Sequence, residues 1–417
     1  MEDVETRQNP MNKKTVLITG ISGFIGSHMA KYLLDTGNKV YGLVRRRADG
    51  SKPRNLLDKG IYDEVHLIEG DITDISGIGF ALERAQPDVI FHLAAQSFIP
   101  RSFTNPLETL EINSLGTANL LESVRLHELD PVIVFAGSSE EYGLAFASDN
   151  QYKRAIEKYG SIFPEPVKMP ELPITEANPL RPMSPYAVSK VQSEYIMRNY
   201  CNSYGLRTIV SRGFNTEGAG RGPMFVTSVV TSQVMKLRYG ESDKIVIGNV
   251  NAFRDWSHVS DIVKGYCLLA EKGKPGEVYN QGSMRTNSIL GYILLALENA
   301  GWKVGRIKTM ANSKVVEDPT ERSREKLFGT EFEMTKVDKL MLTEELEFTI
   351  EDRGVKVYTN KGEIPIRFDP TRFRPAEVPI LLAETKKIQE LGFRIEHELE
   401  YIIREQLDYF SKKELRK

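Results

Sequence analysis

Thr15 to Thr19 is a β-branched run, and Gly20-Ile21-Ser22-Gly23-Phe24-Ile25-Gly26 follows it directly, opening an apolar, helix-compatible stretch. Glycines at this spacing permit a tight turn and a close approach of backbone to a ligand. The first amide groups of the helix can then face a pyrophosphate. With a strand before it, a helix after it and a place near the N-terminus, the segment reads as a dinucleotide-binding turn contributed by Gly20, Gly23, Phe24, Ile25 and Gly26.

Further short strands are expected at Lys39 to Val44, Val65 to Ile68, Val89 to Leu93, Val132 to Ala136 and Thr208 to Ser211, with helical patterns between them. This alternation predicts an α/β fold: a Rossmann doubly wound parallel sheet with a smaller, mostly C-terminal substrate-binding lobe. A chain of 417 residues suits two such lobes. The expected division is a polar tail 1–13, a dinucleotide domain 14–212 to which 252–282 returns, and a substrate lobe built from 213–251 and 283–417. Two stretches break the rhythm and read as insertions. Residues 144–173 hold four prolines and suggest a long loop with one short helix, Tyr152 to Lys158, a candidate lid. Residues 311–364 are highly charged and end in a hairpin pattern around Asn360-Lys361-Gly362. The tail 379–417 reads as two amphipathic helices around Gly392.

Composition excludes several classes. With 41% hydrophobic and 27% charged residues the chain reads as globular and soluble. No apolar run approaches the roughly eighteen residues of a membrane span, and residues 1–13 are too polar for a signal peptide, so a cytoplasmic location is expected. Only Cys201 and Cys267 are present, against a disulfide framework, and six scattered histidines argue for no metal site. A formal charge of -2 predicts no binding to nucleic acid or membrane.

At the end of the second strand the acidic residue that would hold an NAD ribose is missing, and Arg45, Arg46 and Arg47 stand there instead. Guanidinium groups pair well with a 2′-phosphate, which favours NADP, with NAD as the alternative. Asp71 and Ile72 follow the third strand, where Asp71 could bond an adenine or cap the next helix. Leu93, Ala94 and Ala95 end the fourth strand, and the two alanines leave room for a cofactor. His92 reads as a packed core histidine.

Downstream, Ser138-Ser139-Glu140-Glu141-Tyr142-Gly143 offers hydroxyls and a carboxylate, and Ser184-Pro185 opens a helix carrying Tyr186 and Lys190 on one face. A free tyrosine titrates near pH 10, and a neighbouring ammonium favours the phenolate. Tyr186 is thus expected to exchange protons near neutral pH, tuned by Lys190.

Taken in order, the glycine turn with Val44-Arg45-Arg46, the His92-Leu93-Ala94-Ala95-Gln96-Ser97 strand end, and the Ser/Glu and Tyr/Lys motifs resemble the extended short-chain dehydrogenase/reductase family. Asn215, Arg221 to Thr227, Gly248-Asn249 through Arg254-Asp255-Trp256, and Phe373 to Val378 extend the resemblance to its members that modify nucleotide sugars. GDP-mannose 4,6-dehydratases and the sister GDP-4-keto-6-deoxy-mannose reductases are the most similar branches. The resemblance implies that Ser138, with Ser139 beside it, bonds the sugar 4-hydroxyl, that Tyr186 removes its proton, and that Glu140 takes the C5 proton. The implied cycle is transient C4 oxidation, loss of water across C5 and C6, and return of the hydride to C6. Arg221, Arg254 and Arg374 would clamp the diphosphate or nucleotide, Asn215 a phosphate or the sugar, and Glu377 a ribose hydroxyl, with Phe225 as pocket wall. A homodimer or homotetramer is implied through helices spanning 107–127 and 186–204, with Leu110, Leu115, Leu120 and Leu121 as interface candidates. Rival readings are the reductase, a UDP-sugar 4-epimerase, and a non-catalytic NADP sensor.

Overall fold

The structure is a computed structural model, which describes residues 11, 13–311 and 313–416. Most of the tail 1–13 lies outside the described residues.

Seven parallel strands form the central sheet. In spatial order they are Val278–Gln281, β6 (Arg207–Gly213), β5 (Val132–Ser138), β4 (Val89–His92), β1 (Thr15–Thr19), β2 (Lys39–Val44) and β3 (His66–Glu69). The run is apolar at successive positions because both faces are covered. Val16 and Ile18 join the core on one side of the sheet, while Leu17 joins the core on the other. After β3 the chain crosses to the opposite side of β1, so β1 and β4 are neighbours with Thr19 beside His92. From their carboxyl ends the chain runs on to β2 on one side and β5 on the other, the switch point at which open α/β sheets bind ligands.

The second lobe packs the helices Val226–Arg238, Ile289–Asn299 and Leu399–Tyr409 together, with the central one buried along most of its length. Residues 311–364 are integral to this lobe. Strand Gly354–Thr359 lies between Val304–Thr309 and Gly362–Phe368 in a five-stranded sheet, Val355 and Val357 are fully buried, and the hairpin turns at Asn360-Lys361.

Two expectations are corrected here. The segment 144–173 contains a longer helix than Tyr152 to Lys158, namely Asp149–Tyr159, and contributes no lining to the cleft described below. Its apolar side chains close a small core of Leu144, Phe146 and Ile162, and Arg154 pairs with Glu344 at 3.2 Å and Glu347 at 2.9 Å. The excursion is anchored by Arg181, whose guanidinium grips Glu171 with bonds of 2.8 and 2.9 Å in a fully buried pair. The tail, in turn, does not stay within the substrate lobe. Around the short helix Lys386–Glu390, Ile388 and Phe393 pack among Met29, Val259 and Ile262 of the dinucleotide domain before the last long helix returns. Among the described residues no helix is long and apolar enough to cross a membrane.

Candidate active site

A cleft of about 2060 Å³ opens along the carboxyl ends of β1, β4 and β5, and every residue assigned above to cofactor, catalysis or substrate lines it. At its floor Gly20 takes φ +76°, and the N–H of Gly23 bonds back to the Gly20 carbonyl at 2.9 Å. A Cβ on Gly26 would lie 2.2 Å from that carbonyl oxygen, and one on Gly20 would lie 2.8 Å from the Ala94 nitrogen. The helix Phe24–Asp35 starts at Gly23 with no side-chain cap, which leaves its first N–H groups facing the cleft with Phe24 and Ile25. An uncapped N-terminus above a turn with no room for a side chain fits a dinucleotide pyrophosphate. Gly26→Ala is therefore expected to weaken NADPH binding at least about tenfold in a fluorescence titration, because the added methyl cannot coexist with the turn. Unchanged affinity would show that the turn is not the cradle.

Arg45, Arg46 and Arg47 stand exposed where β2 meets the cleft. Asp71 accepts bonds from the Thr73 N–H at 3.0 Å and hydroxyl at 2.9 Å, while Asp74 caps the following helix, so Asp71 is not the cap. Ile72, Leu93, Ala94 and Ala95 form the wall between these groups. His92 is a core residue as expected. It bridges the Thr19 hydroxyl at 2.7 Å and the Thr117 hydroxyl at 3.0 Å, and burial drives its pKa down to about 3.

The candidate reacting groups lie around the end of β5. Ser184 caps the helix Pro185–Tyr204 by accepting the Ala187 N–H, and this orients Tyr186 and Lys190 into the cleft. Ser138, Ser139 and Glu140 lie opposite, with the Glu140 N–H bonded to the Ser138 hydroxyl at 3.2 Å. The Tyr186 phenol lines the same cleft as the Ser138 hydroxyl, which favours its ionised form. Lys190 behaves differently from the sequence expectation. Its ammonium donates to the Ala136 carbonyl at 2.7 Å and lies over the Phe135 ring at 4.6 Å, against 6.0 Å to the Tyr186 ring centre. Burial pushes Tyr186 up to about 12, opposed by the Ser138 hydroxyl and Arg221 and reinforced by Glu140 and Glu141. Lys190 is pushed down to about 8, again by burial, with Glu141 resisting. The cost of stripping water from a phenolate outweighs any help from the lysine, so in the free protein the phenol keeps its proton near neutral pH.

In the substrate half, Arg221 stacks on Phe225 with its guanidinium carbon 3.5 Å from the ring centre, and Glu217 lies 3.7 Å away. The Arg221 Nε and the Asn215 Oδ1 are buried without hydrogen-bond partners, and both residues line the cleft. Arg254 is held by the Phe253 and Val378 carbonyls at 2.8 and 2.9 Å and by Glu377 at 3.0 Å, and Arg374 reaches Glu377 at 3.7 Å. All three arginines line the cleft, as do Glu377 and Asn215.

A sequence profile of the NAD dependent epimerase/dehydratase family matches residues 16–282. The chain belongs to that family. It is 30% identical to a GDP-mannose 4,6-dehydratase of Yersinia enterocolitica over 90% of its own length and 88% of the relative's. A Vibrio cholerae protein of the same name matches at 30% identity over 95% of this chain and 93% of the relative. Among solved structures, RMD from Pseudomonas aeruginosa complexed with NADPH superposes with TM-score 0.65 at 21% identity, covering 96% of this chain and 99% of the other. DesIV, a dTDP-glucose 4,6-dehydratase from Streptomyces venezuelae with NAD and TYD bound, gives 0.62 at 22% identity, covering 95% and 96%.

This epimerase/dehydratase site also contains residues that sequence reasoning left without a role. Asn113 sits in a widened helical turn, Glu111–Leu115, and its side chain ties the end of β4 to the catalytic helix. Its amide donates to the Gln96 carbonyl at 3.1 Å and the Ser189 hydroxyl at 2.9 Å, and its oxygen accepts the Gln96 N–H at 2.8 Å. A lone asparagine in a helical pattern gives no signal of this. Phe98 adds an aromatic contact to Phe225, their centres 6.0 Å apart.

Proposed function

We propose that the chain is an NADP-dependent nucleotide-sugar 4,6-dehydratase, a lyase that converts a GDP-mannose-like substrate to a 4-keto-6-deoxy sugar. The observation that carries this reading is Glu140, a carboxylate on the wall of the cleft that Ser138 and Tyr186 also line, its N–H bonded to the Ser138 hydroxyl. The name shared by the relatives from Yersinia and Vibrio supports the same activity. Bound to the glycine turn, an oxidised dinucleotide would supply a hydride acceptor and a positive ring that favours the Tyr186 phenolate. Ser138 and Tyr186 would then hold a sugar 4-hydroxyl and take its proton. Glu140 would remove the C5 proton, acidified once C4 is a ketone, and pass it to the departing C6 hydroxyl. Arg221, with its unpartnered Nε, and the Arg254–Glu377–Arg374 wall would bind the nucleoside diphosphate.

The test is mass-spectrometric incubation of purified protein with GDP-mannose and NADP. Loss of one water from the sugar, with no net NADPH consumption, is expected. Steady NADPH oxidation against a 4-keto sugar would make it a reductase, and equilibration of C4 epimers of a UDP-sugar would make it an epimerase. Replacing Arg45 and Arg46 together with alanine should lower the preference for NADPH over NADH by about tenfold to a hundredfold, the value of one or two charged hydrogen bonds. An unchanged ratio in paired titrations would remove these arginines from the 2′-phosphate site.

For assembly, Leu120 and Leu121 are fully buried in the core and cannot form an interface. Leu107, Leu115, Val188 and Tyr195 are exposed on the adjoining helices and support pairing of two chains through that face.

A further inference from the structure

Glu141 follows the proposed base but turns the other way, into a fully buried pocket behind the catalytic turn. Its Oε1 accepts the Ser138 N–H at 2.6 Å. Gly137 makes room for it, since a Cβ there would lie 2.9 Å from that oxygen. Its Oε2 is buried and receives no bond from any donor. The nearest cation, the Arg212 Nε at 3.7 Å, already donates to Glu194 at 2.7 Å. The remaining Arg212 nitrogens bond Glu194 at 2.6 Å, the Tyr142 hydroxyl at 2.8 Å and the Glu176 carbonyl at 3.1 Å. Tyr142 in turn donates to Asn280 at 2.6 Å. Glu194 stands on the catalytic helix in line with Tyr186 and Lys190, and Arg198 flanks it at 3.7 Å from the solvent side. Lys190 gives its bond to the Ala136 carbonyl. Two carboxyl groups therefore share one fully committed guanidinium in a dry pocket, and one acceptor oxygen is left over.

We infer that Glu141 is held as a neutral carboxylic acid, donating its Oε2–H to the Glu194 carboxylate while accepting the Ser138 N–H. It thereby acts as a positioning residue that locks the Ser138–Glu140 turn to the helix of Tyr186 and Lys190. A proton on Oε2 satisfies the orphaned oxygen and leaves the buried trio of Glu141, Glu194 and Arg212 electrically neutral. Burial, then the neighbouring Glu194, push the Glu141 carboxyl well above the ordinary carboxylate range against the pull of Arg212, which agrees with this arrangement.

The sign of the linkage makes it measurable. The native state would keep a proton that the unfolded chain releases above its ordinary carboxylate pKa, so this contribution to stability falls as pH rises. Glu141→Gln keeps the shape, the acceptor and a donor but does not titrate. Relative to that variant, the wild-type unfolding constant in urea should rise about tenfold per pH unit between about pH 5.5 and 7.5. An infrared difference spectrum, wild type minus Glu141→Gln at neutral pH, should contain a protonated-carboxyl band. A pH-independent ratio or a missing band would overturn the neutral acid. Neither readout needs turnover, so both stand apart from the proposed reaction. For the positioning role, Glu141→Leu should lose at least tenfold in kcat on GDP-mannose with KM little changed, and Glu141→Gln should recover most of the loss. A leucine variant with wild-type kcat would overturn it, whereas a wild type inactive on GDP-mannose would count against the proposed function alone.

Discussion

Glu140→Gln should lower GDP-mannose turnover by about a hundredfold to ten-thousandfold, the usual span for removing a positioned acid–base group. The substitution is nearly isosteric, and Glu140 is 8% exposed at the cleft wall, so neither a cavity nor a lost buried ion pair contributes to the change. NADPH affinity and the thermal midpoint should stay at wild-type values, because the substitution keeps the shape and volume of the side chain. An amide can still accept and donate hydrogen bonds but cannot carry a proton from C5 to the C6 hydroxyl. The defect should therefore appear in kcat with little change in KM. A variant with more than about a tenth of wild-type turnover would remove Glu140 from the chemistry and favour the epimerase reading, in which the tyrosine and serine suffice.

The second large effect is on stability. Arg181→Met should destabilise the 144–181 region by about 3 to 5 kcal/mol, because it leaves Glu171 as an uncompensated charge in a site where both side chains are at most 3% exposed. Arg181 also holds the Leu144 carbonyl at 2.6 Å and faces the Phe146 ring at 5.5 Å, so the loop loses its anchor along with its charge partner. Hydrogen exchange is the suitable measurement, since the excursion can open without global unfolding. The amides of helix Asp149–Tyr159 should exchange far faster in the variant, and Arg181→Met combined with Glu171→Leu should recover much of the loss by removing the stranded charge. Protection within about 1 kcal/mol of wild type in the single variant would mean that Arg154 and the Leu144–Phe146–Ile162 core hold the segment without the pair.

The strands of the first half were readable because a strand covered on both faces must be apolar at consecutive positions, and β1, β2 and β5 meet that condition by themselves. The seventh strand, Val278–Gln281, carries Asn280 and Gln281 in its buried register and offered no comparable pattern, since those polar side chains are paid for by Tyr142 and Ser211 far away in sequence. Much of the candidate site was legible for a similar reason. Glycine is required wherever a Cβ would strike backbone, as at Gly20 and Gly26, and a four-residue spacing puts Tyr186 and Lys190 on one helix face whatever the rest of the chain does. Asn113 was not legible, because its importance lies in three bonds to partners on β4's end and the catalytic helix.

By itself, then, the sequence determined the local geometry: the turn, the strands of the first half and the helix face, all of which follow from steric and periodic rules acting over a few residues. Only the tertiary structure decided protonation and docking. Tyr186 holds its proton, Lys190 turns to a carbonyl, Glu141 shares Arg212 with Glu194, and Arg154 of the 144–173 segment pairs with Glu344 and Glu347. Each of these depends on how much water is removed and which charge arrives from a distant part of the chain, and neither quantity is encoded in spacing.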